Sequence, residues 1–127
     1  MVGPEAPLVD GVRDVFDAEG LPLVGVSKEA ARLEGSKVFA AQVNRELGIP
    51  QPYSEEFNQL EPALAALRSG RFVRPVIKAD GLAAGKGVVL PETLDEAEAA
   101  ARAMLRDGVF GEAGRRIVIQ ERLDGAE

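Results

Sequence analysis

The segment Lys78-Ala79-Asp80-Gly81-Leu82-Ala83-Ala84-Gly85-Lys86-Gly87-Val88 places three glycines and two lysines between two apolar runs. Glycine lets a backbone turn its N–H groups toward an anion and approach it closely, and lysine adds a point charge for phosphate oxygens. Two well-known phosphate loops do not fit. A Walker A loop needs Gly where Asp80 stands and Ser or Thr where Gly87 stands, and a dinucleotide fingerprint starting at Gly85 needs Gly where Leu90 stands. The flanking runs read as strands, so no helix N-terminus receives the anion. What fits is a glycine loop between antiparallel strands that folds over the phosphates of a nucleotide. The plainer reading is a glycine-rich hairpin whose lysines keep it soluble.

Four basic residues, Arg68, Arg71, Arg74 and Lys78, follow one another without an acid between them. Strand alternation puts Arg74 and Lys78 on one face with Phe72 and Val76. The three arginines read as surface residues, and Lys78, ending an apolar strand beside the glycine loop, is the one singled out. Further on, Ile117-Val118-Ile119-Gln120-Glu121-Arg122-Leu123-Asp124-Gly125-Ala126-Glu127 reads as a buried strand ending in polar residues. Its final backbone groups suit the edge of a purine, or else the strand simply leaves the sheet.

The whole chain has 127 residues, 15 Lys+Arg against 21 Asp+Glu and a formal net charge of −6. Neither His nor Cys occurs, which removes thiol nucleophiles, disulfides, Cys/His zinc sites and His-dependent triads. Carboxylates, amines, hydroxyls, backbone amides and an oxygen-held metal remain. The acidic balance argues against a general nucleic-acid binder. Apolar stretches are too short for a membrane span, and no leader pattern opens the chain, so the cytoplasm is the expected compartment. Both ends look abrupt, and a fragment of a larger protein is expected.

These groups need a scaffold, and the spacing predicts an α/β one. Val9, Val12, Val15 and Phe16 fall at helical spacing ahead of Gly20, after a turn over Gly3–Leu8; Leu21–Gly25 reads as a short strand. Ser27 caps a helix over Lys28–Glu34, and Ser36 caps another with the stripe Phe39, Val43, Leu47. Pro52–Phe57, Phe72–Lys78, Val88–Leu90 and Arg116–Glu121 read as strands, with helices over Glu61–Arg68 and Leu94–Arg106. That order is β-α-β-β-α-β, a small sheet with helices on one face. Thr93 with Glu96 makes a capping box, and the charges along the last helix, Glu98 and Arg102 among them, read as a solvated face matched to the helix dipole.

Taken together, Gly3-Pro4-Glu5-Ala6-Pro7-Leu8, Ser27 with Leu33-Glu34-Gly35-Ser36-Lys37, the glycine loop, Phe110-Gly111-Glu112-Ala113-Gly114 and Glu121–Glu127 closely resemble the phosphoribosylamine-glycine ligases of the ATP-grasp superfamily. The resemblance runs from end to end in one order. It implies that residues 1–52 are the end of an N-terminal substrate domain with connecting helices, and that residues 53–127 are the small ATP-grasp lid. The implied reaction ligates glycine to 5-phosphoribosylamine through a glycyl phosphate, using ATP and Mg²⁺ or Mn²⁺, with the metal ligands outside this chain. By position, Lys37 and Lys78 reach the ATP phosphates. Asp80, Gly81, Gly85, Lys86 and Gly87 belong to the closing loop; Gln120, Glu121 and Leu123 meet adenine; Glu127 reaches the ribose; and Glu5 lies near the phosphoribosylamine.

The chain departs from the family pattern at Val26, where Pro is usual after Gly25, at Gln120, where Glu is usual, and at Ala126, which replaces an acid. The Gln120 amide oxygen still accepts from an adenine amine. Another ATP-grasp ligase or carboxylase, or a non-catalytic nucleotide-binding module, are the alternatives.

Overall fold

The fold is that of a computed structural model, which describes residues 1–83 and 86–125. Four helices lead, α1 (Glu5–Asp10), α2 (Val12–Ala18), α3 (Lys28–Gly35) and α4 (Lys37–Glu46). There follow β1 (Ser54–Phe57), α5 (Leu60–Arg68), β2 (Pro75–Ala79), β3 (Val88–Val89), α6 (Leu94–Leu105) and β4 (Ile117–Glu121). The β-α-β-β-α-β order predicted from the sequence is thus present, within an α/β arrangement.

The four strands form one antiparallel sheet in the order β1-β4-β2-β3. Its two central strands are its most apolar, and the edges are the charged β1 and the two-residue β3, which blunts edge pairing. Alternation sorts the faces. Ile77, Ala79, Ile117 and Ile119 pack against Leu64, Leu67, Ala97, Ala101 and Met104 of α5 and α6, the main core. Register pairs Lys78 with Val118 and Val76 with Gln120, so the opposite face of the sheet carries Lys78, Val118 and Gln120.

Four readings are corrected. The expected single helix up to Gly20 is two, because it starts at Glu5 and bends at Gly11, whose φ of 97° is a glycine conformation. Pro7 is tolerated in α1 because it occupies a first-turn position, where an N–H has no helical partner. Leu21–Gly25 forms no strand; its one backbone tie to the segment before α1 is Val2 N–H to the Val24 carbonyl, 3.3 Å, and one bond makes no ladder. Phe72 does not share the face of Lys78. It lies in the core, because regular alternation begins only at Pro75. Finally, Glu98 is not solvated: it is buried at the α5–α6 contact, gripped by Arg68 Nε and Nη2 (2.7 and 2.8 Å) and by Arg102 Nη2 (2.7 Å).

The caps on α3, α4 and α6 are where the sequence put them. The Ser27, Ser36 and Thr93 side chains accept from Ala30, Phe39 and Glu96 N–H groups at 3.3, 3.1 and 3.2 Å. The stripe of α4 fades at Leu47, which is solvent-exposed at the helix end.

Candidate functional site

Between α4 and the open face of the sheet lies a cleft of about 580 Å³. Its floor is the non-core face of the central strands, Lys78, Val118 and Gln120, and its far wall is one face of α4, Lys37, Ala40, Ala41 and Asn44. The spacing of those four residues, one turn to the next, is the reason they share a face. Alanines at the middle positions leave the cleft open where longer side chains would fill it. Glu5, at the start of α1, lines one end, and Leu82, Ala83, Gly87 and Val88 of the loop region line another.

The two lysines come from opposite walls. Lys78 is half-buried, and its pKa is lowered from the usual lysine value, first by burial and then by the positive charge of Lys37. Lys37 Nζ donates to the carbonyls of Gly81 (3.2 Å) and Asp80 (3.5 Å), neutral partners that leave its charge uncompensated. Among the described residues no carboxylate stands within ion-pair distance of either lysine, although eleven such pairs occur elsewhere in the chain. Glu5 and Glu34 also line the cleft but stand beyond ion-pair distance, so two cations facing it keep charge available to an anion. Arg68, Arg71 and Arg74, by contrast, are each paired, with Glu98, Glu55 and Asp124.

The loop residues divide. Gly87 is buried, and a Cβ there would stand 2.6 Å from the Ala83 Cβ and 3.2 Å from the Ala79 Cβ, so the loop folds back on β2 only with glycine at this position. A Cβ added at Gly81 would stand 3.0 Å from both the Cα and the Cβ of Ala113. Lys86 is exposed and does not line the cleft, while Gly85 lies outside the described residues. Asp80 does not line the cleft either; its carboxylate is buried in the joint between α4 and the sheet.

At the other end of β4 the ladder changes character. Glu121 N–H donates to the Tyr53 carbonyl at 2.9 Å, but the reciprocal Tyr53 N–H donates to Glu121 Oε1 at 3.0 Å, in place of the Glu121 main-chain carbonyl. The residue opposite on β2 is Pro75, which has no N–H to offer. The last rung thus presents a main-chain acceptor beside Gln120. Leu123 is exposed just beyond, and Glu127 lies outside the described residues. The sequence reading missed Asn44 and the small residues of α4, whose role in the cleft shows only once α4 is set against the sheet, and Arg116, whose partner is Asp80.

The profile of the phosphoribosylglycinamide synthetase ATP-grasp (A) domain matches residues 35–127, and that of the N domain of the same enzyme matches residues 1–34. The chain belongs to the phosphoribosylglycinamide synthetase family. It is 55% identical over all 127 residues to a phosphoribosylamine–glycine ligase of Pasteurella multocida and 54% identical to one of Escherichia coli K12. In both cases it spans 29% of the relative's length. Among solved structures, the phosphoribosylamine–glycine ligase of Thermotoga maritima is 34% identical with a TM-score of 0.72, the match covering 80% of this chain and 26% of that one. A RimK-domain ATP-grasp protein of Sphaerobacter thermophilus shares the fold at 24% identity, with a TM-score of 0.72 over 90% of this chain and 41% of that one.

Proposed function

We propose that this chain supplies the ATP-gripping part of a phosphoribosylamine–glycine ligase, the family reading that its site geometry supports best. Residues 53–127 serve as the lid over the nucleotide, and residues 1–52 as the end of the substrate domain with its connecting helices. ATP transfers its γ-phosphoryl group to the glycine carboxylate, giving glycyl phosphate and ADP. The amine of 5-phosphoribosylamine then attacks the acyl carbon, and phosphate leaves as glycinamide ribonucleotide forms.

The observation that carries this reading is the pair of lysines facing each other across one cleft, with no carboxylate of the described residues within ion-pair distance of either. Lys37 and Lys78 hold the phosphate oxygens of ATP, and Gly81, Gly85, Lys86 and Gly87 close over them. The Gln120 amide oxygen and the Glu121 carbonyl accept from the adenine amine, Leu123 packs on the ring, and Glu127 reaches the ribose. Glu5 lies toward the phosphoribosylamine. Mg²⁺ or Mn²⁺, when bound, neutralises phosphate charge. On this reading the metal ligands lie in other parts of the enzyme. The substrates are diffusible small molecules; the reaction needs neither nucleic acid nor membrane and runs in the cytoplasm. No helix of the described residues is long and apolar enough to cross a membrane.

The test is a chimera in which these 127 residues replace the matching segment of the Pasteurella multocida relative. The expected result is ADP formation that requires both glycine and 5-phosphoribosylamine. ADP formation dependent on a different carboxylate would point to another ATP-grasp ligase, and ATP binding without turnover would point to a non-catalytic module.

A further inference from the structure

We propose that Asp80 is a positioning residue, a clasp that sets the distance between the two phosphate-gripping lysines and does not itself touch the nucleotide. This rests on the reading of Lys37 and Lys78 as phosphate ligands. The first N–H groups of a helix have no partner within it, and at α4 three of them are satisfied by two residues. Lys37 N–H donates to the Asp80 carbonyl (3.2 Å), Val38 N–H to Asp80 Oδ1 (2.8 Å) and Phe39 N–H to Ser36 Oγ (3.1 Å). Ser36 Oγ in turn donates to Asp80 Oδ1 at 3.0 Å. The other carboxylate oxygen takes a two-pronged grip from Arg116, Nε at 3.0 Å and Nη2 at 2.6 Å.

Asp80 is itself held by the sheet, because its N–H donates to the Arg116 carbonyl at 2.9 Å, one step beyond the Ala79–Ile117 pair. The residue is 8% exposed, so its charge is removed from water and compensated by Arg116 and the N-terminal end of α4. Lys37 is the first residue of the helix so anchored, and Lys78 lies two residues before Asp80 on β2. One carboxylate therefore joins the backbone carrying one lysine to the backbone carrying the other, across a sequence gap of 42 residues between Val38 and Asp80.

The experiment compares Asp80→Asn, Lys37→Met and the double variant in the chimera, by equilibrium binding of ATP with Mg²⁺, steady-state kinetics and thermal unfolding. Asparagine keeps an oxygen for the Val38 N–H and loses the charge that holds Arg116. Asp80→Asn is expected to weaken ATP binding and raise KM for ATP about tenfold while leaving KM for glycine unchanged. In the Lys37→Met background the same substitution is expected to change ATP affinity less than about twofold, since its effect passes through Lys37. Arg116→Gln, at a more exposed position, is expected to give the same pattern at about threefold and stands in if Asp80→Asn does not fold. Additive losses in the double variant, or equal increases in KM for ATP and glycine, would overturn the proposal. If the unmutated chimera binds ATP without ligating glycine, the ligase reading fails and the binding cycle still decides the role of Asp80. If it binds no ATP, both fall.

Discussion

From β1 to β4, the side chains of Ile77, Ile117 and Ile119 are fully buried, and helices α5 and α6 contribute Ala63, Leu64, Ala66, Leu67, Ala97, Ala101 and Met104 to the same core. In the four helices before them, Ala31 is the one buried helical side chain. The sheet unit is held by burial; the leading helices are held by caps, a glycine elbow and the clasp at Asp80. The cleft lies along this boundary, with a floor bearing Lys78 and Gln120 that packs on the core and a wall bearing Lys37 that is tied to it by the Asp80 clasp. The proposed closing over a nucleotide would gain from that contrast, because low-burial elements move at low free-energy cost while the floor keeps its geometry.

The sharpest way to break this comparison is to cut into both sides equally. Ile119→Ala removes a fully buried side chain from the central strand and is expected to cost about 2–5 kcal/mol, read by chemical denaturation. Val43→Ala, on the partly buried stripe of α4, is expected to cost less than about 1 kcal/mol. Equal losses would show that the leading helices share the core's cooperativity.

A second test separates the floor's lysine from its neighbours. In the chimera, Lys78→Ala is expected to weaken ATP binding by about 1.5–3 kcal/mol, the worth of a charge-assisted contact. Arg71→Ala, whose guanidinium is already paired with Glu55 at 2.8 Å, is expected to leave ATP affinity unchanged. Matching losses in a calorimetric titration would spread the site over the whole basic stretch.

The sheet unit also carries a pH signature. Hydrogen bonds from Arg68 and then Arg102 pull the Glu98 pKa from 4.5 down to about 2 in the folded chain. A folded-state pKa below the unfolded one means that the stabilisation is complete above about pH 4.5 and is lost as pH falls toward 2. Urea midpoints measured from pH 5 down to pH 2 are therefore expected to fall more steeply for the parent than for Glu98→Gln. Parallel slopes would show that the two arginines do not stabilise the carboxylate.

Much of the fold is legible in the sequence because its signals are local. The capping residues Ser27, Ser36 and Thr93 announce three helices, and the apolar runs around Ile77 and Ile119 announce the central strands. Lys78 is legible for the same reason, as a charge at the end of such a run beside glycines. Asp80 is not: inside the glycine loop it reads as a loop carboxylate, and its burial depends on a sheet register that brings Arg116 to it from 36 residues away. Glu98 misleads in the same manner, since the dipole pattern of α6 says nothing about Arg68 on α5. Leu21–Gly25 has the composition of a strand, but a strand is a pairing, and composition carries no information about a partner.

The smallest effect probes the boundary most directly. Ser27→Ala and Thr93→Ala each delete one N-cap bond, 3.3 Å to Ala30 N–H and 3.2 Å to Glu96 N–H, and each is expected to cost about 1 kcal/mol. The chemistry is the same, but the consequence differs with what holds each helix. Helix α6 buries Ala97, Ala101 and Met104, so its first turn cannot open without disturbing the core, and the loss should appear as a lower global stability with unchanged local exchange. Helix α3 buries Ala31 alone and can open by itself. Hydrogen exchange at the Ala31 and Arg32 amides is therefore expected to quicken about fivefold in Ser27→Ala while the global unfolding midpoint stays put, since 1 kcal/mol is roughly that factor in an opening equilibrium. A Ser27→Ala variant whose global midpoint falls as far as that of Thr93→Ala would place α3 inside the sheet's cooperative unit.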